Sequence, residues 1–337
     1  MEAAHVAMAG RGVERRVAKL FDMAQRLAQD HGNTYACELV QLIRGIVALL
    51  RGEWTTAIAC CDQAAAALQE HCTGVAWELS TAHSFVLWAL YWSGDISELS
   101  RRREALIADA RRRGDRYALT NGLTIALPPL LQDCSRLAQE QTEEAMRLWP
   151  QDGFSVQHFH AWYSLLFCEL YRDDEVAAWE RVCRTWPVLQ RSLLLRGQVF
   201  RIVALDARVR SALAVMRHDA RMLRICGAVE RDIRRVAREG CSWAQGLTLL
   251  AEAALRSLAH KGSESTRLLR QALGAFDASG MALHAAVTRR RLGELLGGEE
   301  GRGLLAESDA YMAAHGVVRP QRLAAVLAPG FPSEART

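Results

Sequence analysis

Few side chains here are of types that do chemistry, and their spacing speaks against most of it. His158 and His160 flank Phe159, eight or more residues ahead of Cys168. An i,i+2 pair points to different helix faces, so these imidazoles cannot share a metal in regular helix. They suit a polar seam between packed helices. Asp173-Asp174-Glu175 follows Tyr171-Arg172. Metal-diphosphate chemistry wants carboxylates a helical turn apart on facing helices. These three stand together in a turn, where acids serve as caps and dipole partners of the next helix. An all-helical catalyst using the carboxylates near Asp173 is the one enzymatic alternative carried forward. The G-x-x-x-x-G-K-[ST] phosphate loop, the G-x-S-x-G elbow and H-E-x-x-H are absent. Gly297-Gly298-Glu299-Glu300-Gly301 is Gly-rich but acidic, and repels phosphate. No catalytic residue, metal or cofactor is expected.

Residues suited to binding concentrate between positions 155 and 208. His158, Trp162, Trp179 and Trp186 precede Arg196, Arg201 and Arg208, and these seven form the expected partner-binding surface. Arg201 and Arg208 are seven residues apart and share a helix face. Asp206 is the one acid between Arg191 and Arg217. Such a stripe could meet an acidic or phosphorylated partner, because guanidinium pairs bidentately with carboxylate and phosphate. Equally, these arginines could pair with acids of adjacent helices. The nine Trp mostly fall on apolar faces, either packing helix against helix or lining a groove, where Trp and Arg are common hot spots.

These residues need a scaffold, and a turn recurring about every 40 residues supplies it. It stands at Gly52, Gly94, Asp133, Asp173, His218, Gly262 and Gly298. Gly45, Gly52, Trp54, Ala57 and Ala64 have the offsets of a tetratricopeptide hairpin, with small residues where two helices cross. A period in the range of about 20–50 residues means stacked supersecondary units. Helix pairs are expected at 34–51 with 54–71, 76–93 with 96–114, 116–131 with 135–149 and 155–172 with 175–186. Further pairs are expected at 193–217 with 219–239, 242–260 with 263–279 and 281–296 with 301–316. Pro128-Pro129 must interrupt one of them. The expected fold is an all-α, tetratricopeptide-like, right-handed α-solenoid of about seven hairpins. Its two halves would be 1–150 and 151–327, divided near Pro150 and Gly153. Residues 1–12 read as a frayed start, Pro320 and Pro329-Gly330 as the end of the helical region, and 328–337 as a disordered tail.

Composition agrees. Half of the 337 residues are hydrophobic, and Val and Ile never alternate as strands require. Net charge is +4, and the Arg runs at 101–103, 111–113 and 289–291 sit among acids as solvated helix faces. A nucleic-acid groove would need a basic excess interleaved with aromatics. Nine cysteines without a C-x-x-C pair fit reduced thiols in the cytoplasm. No signal peptide or membrane-spanning stretch is seen, so neither nucleic acid nor membrane is an expected partner.

Several segments carry a family resemblance. They include Cys72-Thr-Gly-Val-Ala-Trp-Glu-Leu79, Gly114-Asp-Arg-Tyr117, Ser155-Val-Gln-His-Phe159 and Ala178-Trp179 through Trp186-Pro187. Others are Ser192-Leu-Leu-Leu-Arg196, Arg291-Leu-Gly-Glu-Leu-Leu-Gly-Gly298, Tyr311-Met-Ala-Ala-His-Gly316, Arg319-Pro320 and Leu327-Ala-Pro-Gly-Phe331. From about Val13 to Phe331 the chain resembles the C-terminal helical-repeat region of large bacterial serine/threonine protein kinases with a central ATPase module. The resemblance implies a part that senses or recruits partners. No kinase Gly loop, H-R-D or D-F-G is present, so kinase activity is not implied. The leading expectation is a non-catalytic, regulatory protein-interaction module. The alternative is a small-ligand sensor closing its concave groove on a metabolite. An open groove with exposed aromatics and Arg favours the first; a closed apolar cavity of several hundred Å3 favours the second.

Overall fold

In a computed structural model, residues 1–10 and 12–332 are described, with Ala220 described through its backbone alone. The described residues are all-helical, without a strand. The helices are α1 (Glu2–Ala7), α2 (Glu14–Asp30), α3 (Thr34–Arg51), α4 (Trp54–His71), α5 (Ala76–Ser93), α6 (Ile96–Arg113), α7 (Arg116–Leu123), α8 (Leu127–Leu131) and α9 (Ser135–Leu148). They continue as α10 (Val156–Tyr171), α11 (Glu175–Arg191), α12 (Gln198–His218), α13 (Cys226–Glu239), α14 (Ser242–Leu258), α15 (Gly262–Ala278), α16 (Ala282–Leu296), α17 (Gly298–Ala314) and α18 (Pro320–Leu327). Short 3-10 turns, Leu193–Arg196 and Ala220–Ile225, precede α12 and α13. Among the described residues no helix is long and apolar enough to cross a membrane.

Local chemistry sets these boundaries. Asn33, Asp95, Asp115 and Asp174 cap helix starts by accepting the amides of Ala36, Glu98, Ala118 and Ala177. Left-handed residues end several helices, with φ of 81° at Gly52, 85° at Gly94, 58° at Asp133 and 59° at Asp173. At these four positions the recurrent turn is this conformation, whereas His218 is the last residue of α12 and Gly262 the first of α15, where His260 carries the left-handed φ of 57°. Pro128 and Pro129 open the short α8 after α7 has stopped at Leu123.

The helices alternate in burial. α5, α10, α12, α14 and α16 are buried around much of their circumference, whereas α9, α11, α13 and α15 bury one stripe. The first set is an inner layer and the second an outer one. Ala57 and Ala64 on α4 are fully buried, and a Cβ on Gly45 would collide with Cys61 Sγ. That is the close crossing the small residues call for.

Hairpins from the two ends of the chain meet, α4 against the end of α15 and α5 against α16 and α17. Trp54 Nε1 donates to Ser279 O at 2.9 Å, and Tyr311 Oη donates to Gly94 O at 2.5 Å. Trp92 stacks on His284 with ring centroids 5.8 Å apart, and Trp54 and Trp243 join the same cluster. The accessible surface is 15556 Å2, modestly above the ~13,700 Å2 of a compact protein of this mass. The inner layer is therefore largely closed on itself.

Both chain ends differ from the sequence-based expectation. Residues 2–7 form α1, and Ala3, Val6 and Ala7 are buried. Pro320 starts α18 rather than ending the helical region, because the first helical position needs no amide donor. From Ala328 to Phe331 the expected disordered tail is packed chain. Phe331 is 1% exposed beneath Arg291, which donates from Nε to Ala328 O at 2.9 Å. The remaining tail, 333–337, lies outside the described residues.

Candidate functional site

The first halves of α10 and α12 and the ends of α3 and α5 fail to meet completely and leave a cavity of about 530 Å3. The second halves of α10 and α12 pack instead on α18 and the segment after it. One wall is aromatic: Phe85, Trp88, Trp92, Phe159, Tyr163 and Phe200. Another is aliphatic: Ile46, Leu49, Leu50, Leu194, Val199 and Val203. Ala4 and Met8 cover it from the N-terminal segment. That cover is tied down where Gln198 N donates to Met8 O at 2.8 Å.

The polar lining is sparse and lies mainly on α7 and the start of α10: Tyr117, Asn121, Ser155, Gln157 and His160. Gln157 Nε2 donates to Asn121 Oδ1 at 3.3 Å. His160 packs on Trp88 at 4.4 Å between centroids, and its Nδ1 has no hydrogen-bond partner. Burial pushes the His160 pKa down to about 3, so the ring is neutral at physiological pH. Ser84 spends its hydroxyl on Ser80 O at 2.7 Å. Among the described residues no charged side chain lines the cavity.

Charge lies behind the wall. Arg210 Nη2 donates to Tyr163 Oη at 2.8 Å and stands 2.6 Å from Asp206 Oδ2. Its guanidinium also faces the Phe167 ring at 4.9 Å. Tyr163 Oη and Tyr91 Oη are 3.1 Å apart. Burial pushes the Asp206 carboxyl above its usual range and Arg210 pulls it back. The two charges neutralise each other and contribute little net field to the cavity.

None of the seven residues singled out for partner binding lines this cavity. His158 Nδ1 accepts the Ser155 amide at 3.2 Å and lies 2.9 Å from Ser155 Oγ. The spacing is that of a nucleophile and base, but the amide occupies the same nitrogen. The pair is a helix cap, as the sequence position at a helix start allows. Trp162 is buried beside Phe159, Trp179 is half-buried, and Trp186 is buried beneath Arg208, 4.4 Å from its ring centroid. Arg201 pairs with Glu239 of α13, its Nη2 to Oε2 at 2.8 Å, and also donates to Leu195 O and Arg196 O. Arg208 Nε lies 3.3 Å from Asp232 Oδ2, also on α13. Arg196 is exposed. Arg201 and Arg208 thus lie in the α12–α13 joint, engaged by acids of the adjacent helix. The acids near Asp173 are dispersed: Asp174 caps α11, and Glu175 faces His218 at 3.0 Å. No group of three or more His, Cys, Asp or Glu among the described residues is placed to hold a metal.

Asn121, Gln157, Tyr163 and Phe200 are the site residues that the sequence does not single out; it presents His160 only as a candidate metal ligand or seam residue, and Trp88 and Trp92 only among the nine Trp. The available signal was aromatic and amide residues scattered all round helices 76–93 and 155–172, where an ordinary inner helix carries aliphatics. A second hollow of about 560 Å3 lies between α1, α2 and α3, but Met23 and Leu27 on its rim are 51% and 55% exposed. It is a surface groove without a converging polar set. Neither a protein-family model nor a curated protein matches this chain.

Proposed function

We propose that the chain is a non-catalytic helical-repeat module whose interior cavity binds a small molecule. The carrying observation is the cavity itself: about 530 Å3, walled by aromatic and aliphatic side chains, with a few polar groups on one side. Ligand sites typically have such volume and lining. The lining offers no carboxylate, thiol or lysine to a reaction, which supports binding rather than catalysis. The hairpins, their left-handed turns and the small-residue crossing at Gly45 support a tetratricopeptide-like solenoid, wound until its ends meet. Nine cysteines with no disulfide among the described residues suit a reducing cytoplasm. Descent from the repeat tail of a multidomain kinase-ATPase rests on the sequence segments given above.

The test is purification from native lysate, followed by denaturation and mass spectrometry of the released small molecules, with a thermal-shift screen of a metabolite library alongside. The expected outcome is one stoichiometric compound, or one class of compounds that raises the melting temperature. Nothing released and nothing stabilising would sink the proposal.

A protein-interaction role has its own support in the groove between α1, α2 and α3 with its exposed Met23 and Leu27, since exposed apolar clusters commonly mark contact surfaces. It requires a protein captured from lysate whose retention is lost with Leu27→Glu.

A further inference from the structure

The cavity's own chemistry narrows what it can hold; this rests on the small-molecule proposal above. Burying an ion without a counter-charge costs far more than apolar contacts return. No lining residue among those described supplies one, because His160 is neutral and Arg210 is engaged with Asp206 and Tyr163. A buried carboxylate, phosphate or ammonium on a ligand would stand unpaired.

The polar end is more specific. Asn121 and Gln157 are two primary amides joined by one hydrogen bond, and no other protein group bonds either side chain. Whichever way the pair is flipped, one bond between two amides leaves one carbonyl oxygen and one NH2 without a protein partner. Both residues line the cavity, and neither free amide atom is among the buried polar atoms left without a partner, so a donor and an acceptor remain accessible at its wall. That arrangement complements a group that is itself acceptor and donor, such as a carboxamide, lactam or hydroxyl. The rest of the lining offers dispersion contacts to a ring-sized apolar body.

We infer that the cavity takes an uncharged molecule with an apolar body and one amide- or hydroxyl-bearing end, seated on Asn121 and Gln157. The test uses N-phenyl-1-naphthylamine, a neutral fluorescent probe, displaced by either 2-naphthamide or 2-naphthoate. These competitors share one skeleton and differ in an uncharged amide against a carboxylate. The probe should bind saturably, and Val203→Phe, which adds a ring to the cavity wall, should weaken it at least tenfold. Val199→Phe on the same wall serves if Val203→Phe fails to fold. 2-Naphthamide should displace the probe at least tenfold better than 2-naphthoate, and Gln157→Leu should weaken 2-naphthamide at least tenfold while leaving the probe's own affinity within threefold. A probe that does not bind, or binds regardless of both wall variants, overturns the small-molecule proposal itself. A probe lost with the wall variants but displaced equally by both competitors overturns the uncharged class alone. A 2-naphthamide affinity that is unchanged in Gln157→Leu overturns the assignment of the polar end.

Discussion

Gly45 is the position where one methyl group should be felt most. Its Cβ would meet Cys61 Sγ and lie 3.1 Å from Ala57 O. Helix propensity alone favours Ala over Gly by ~1 kcal/mol, whereas overpacking costs ~1–3 kcal/mol. Gly45→Ala should therefore lower stability, read as a lower urea midpoint. Gly274 on α15 has open space around its Cβ, so Gly274→Ala should raise the midpoint by the propensity term. Equal shifts in the two variants would show that the crossing is looser than described. A pH effect belongs to this scale too. Burial, with Arg210 adding to it, holds the His284 pKa down to about 3, and burial alone does the same for His160. Both lie below the ~6.5 of an unfolded chain. Unfolded chains then bind more protons between those values, so stability is full above pH ~6.5 and falls as pH drops toward 3. For the well-buried His284 the slope approaches ~1.4 kcal/mol per pH unit. His284→Phe should flatten the pH dependence of the unfolding free energy by close to one proton.

At the scale of elements, the α12–α13 joint decides what the Arg stripe does. Arg201 faces Glu239, and Arg208 is sandwiched between Trp186 and Asp232. Partly buried charge-assisted bonds contribute roughly 1.5–3 kcal/mol, and reversal adds repulsion. Arg201→Glu should destabilise by at least that amount, and adding Glu239→Arg should recover part of the loss. The coupling energy from the double-mutant cycle measures the joint. A coupling near zero would return Arg201 to the list of residues available for a partner. α18 is held in a similar way. Asp133 accepts from Tyr171 Oη at 3.0 Å, and Arg319 and Arg322 reach it at 3.3 and 3.4 Å. These bonds anchor a helix that begins where a proline was expected to end helical structure.

For the whole molecule, contact of α4 and α5 with the hairpins α14–α15 and α16–α17 predicts a compact particle. A compact 337-residue chain has a radius of gyration of ~20 Å. Small-angle scattering should give a value near this, whereas an open spiral would give one well above it. Trp54 ties the seam by stacking on Trp92 and donating to Ser279 O. Trp54→Ala should cost ~3–5 kcal/mol, the usual loss for a buried large aromatic. Because the ends support each other, unfolding should remain a single transition in wild type. A stepwise, repeat-by-repeat melt would contradict the closure.

The sequence by itself determined the helices, because their signals are local. Capping acids, left-handed turn residues and 3.6-residue periodicity act within a few positions, and the helix pairs from Thr34 to Ala314 stand close to where those signals put them. The crossing at Gly45, Ala57 and Ala64 was legible for the same reason, since small residues at fixed offsets matter to an adjacent helix. Chain ends were less legible. The placing of α18 and of the N-terminal segment depends on partners far along the chain, Asp133 for Arg319 and Arg322 and Gln198 for Met8, while Phe331 is buried beneath Arg291 of α16. The site shows the same division. Sequence singled out the segment from His158 to Arg208, but a helix exposes several faces and spacing does not say which one meets what. The tertiary structure turned Gln157, His160, Tyr163 and Val203 toward a shared hollow and Arg201 and Arg208 toward the acids of α13. It also brought Trp88 and Asn121 to that hollow from separate hairpins. Convergence of this kind is set by how helices stack over the whole chain, which no local pattern records.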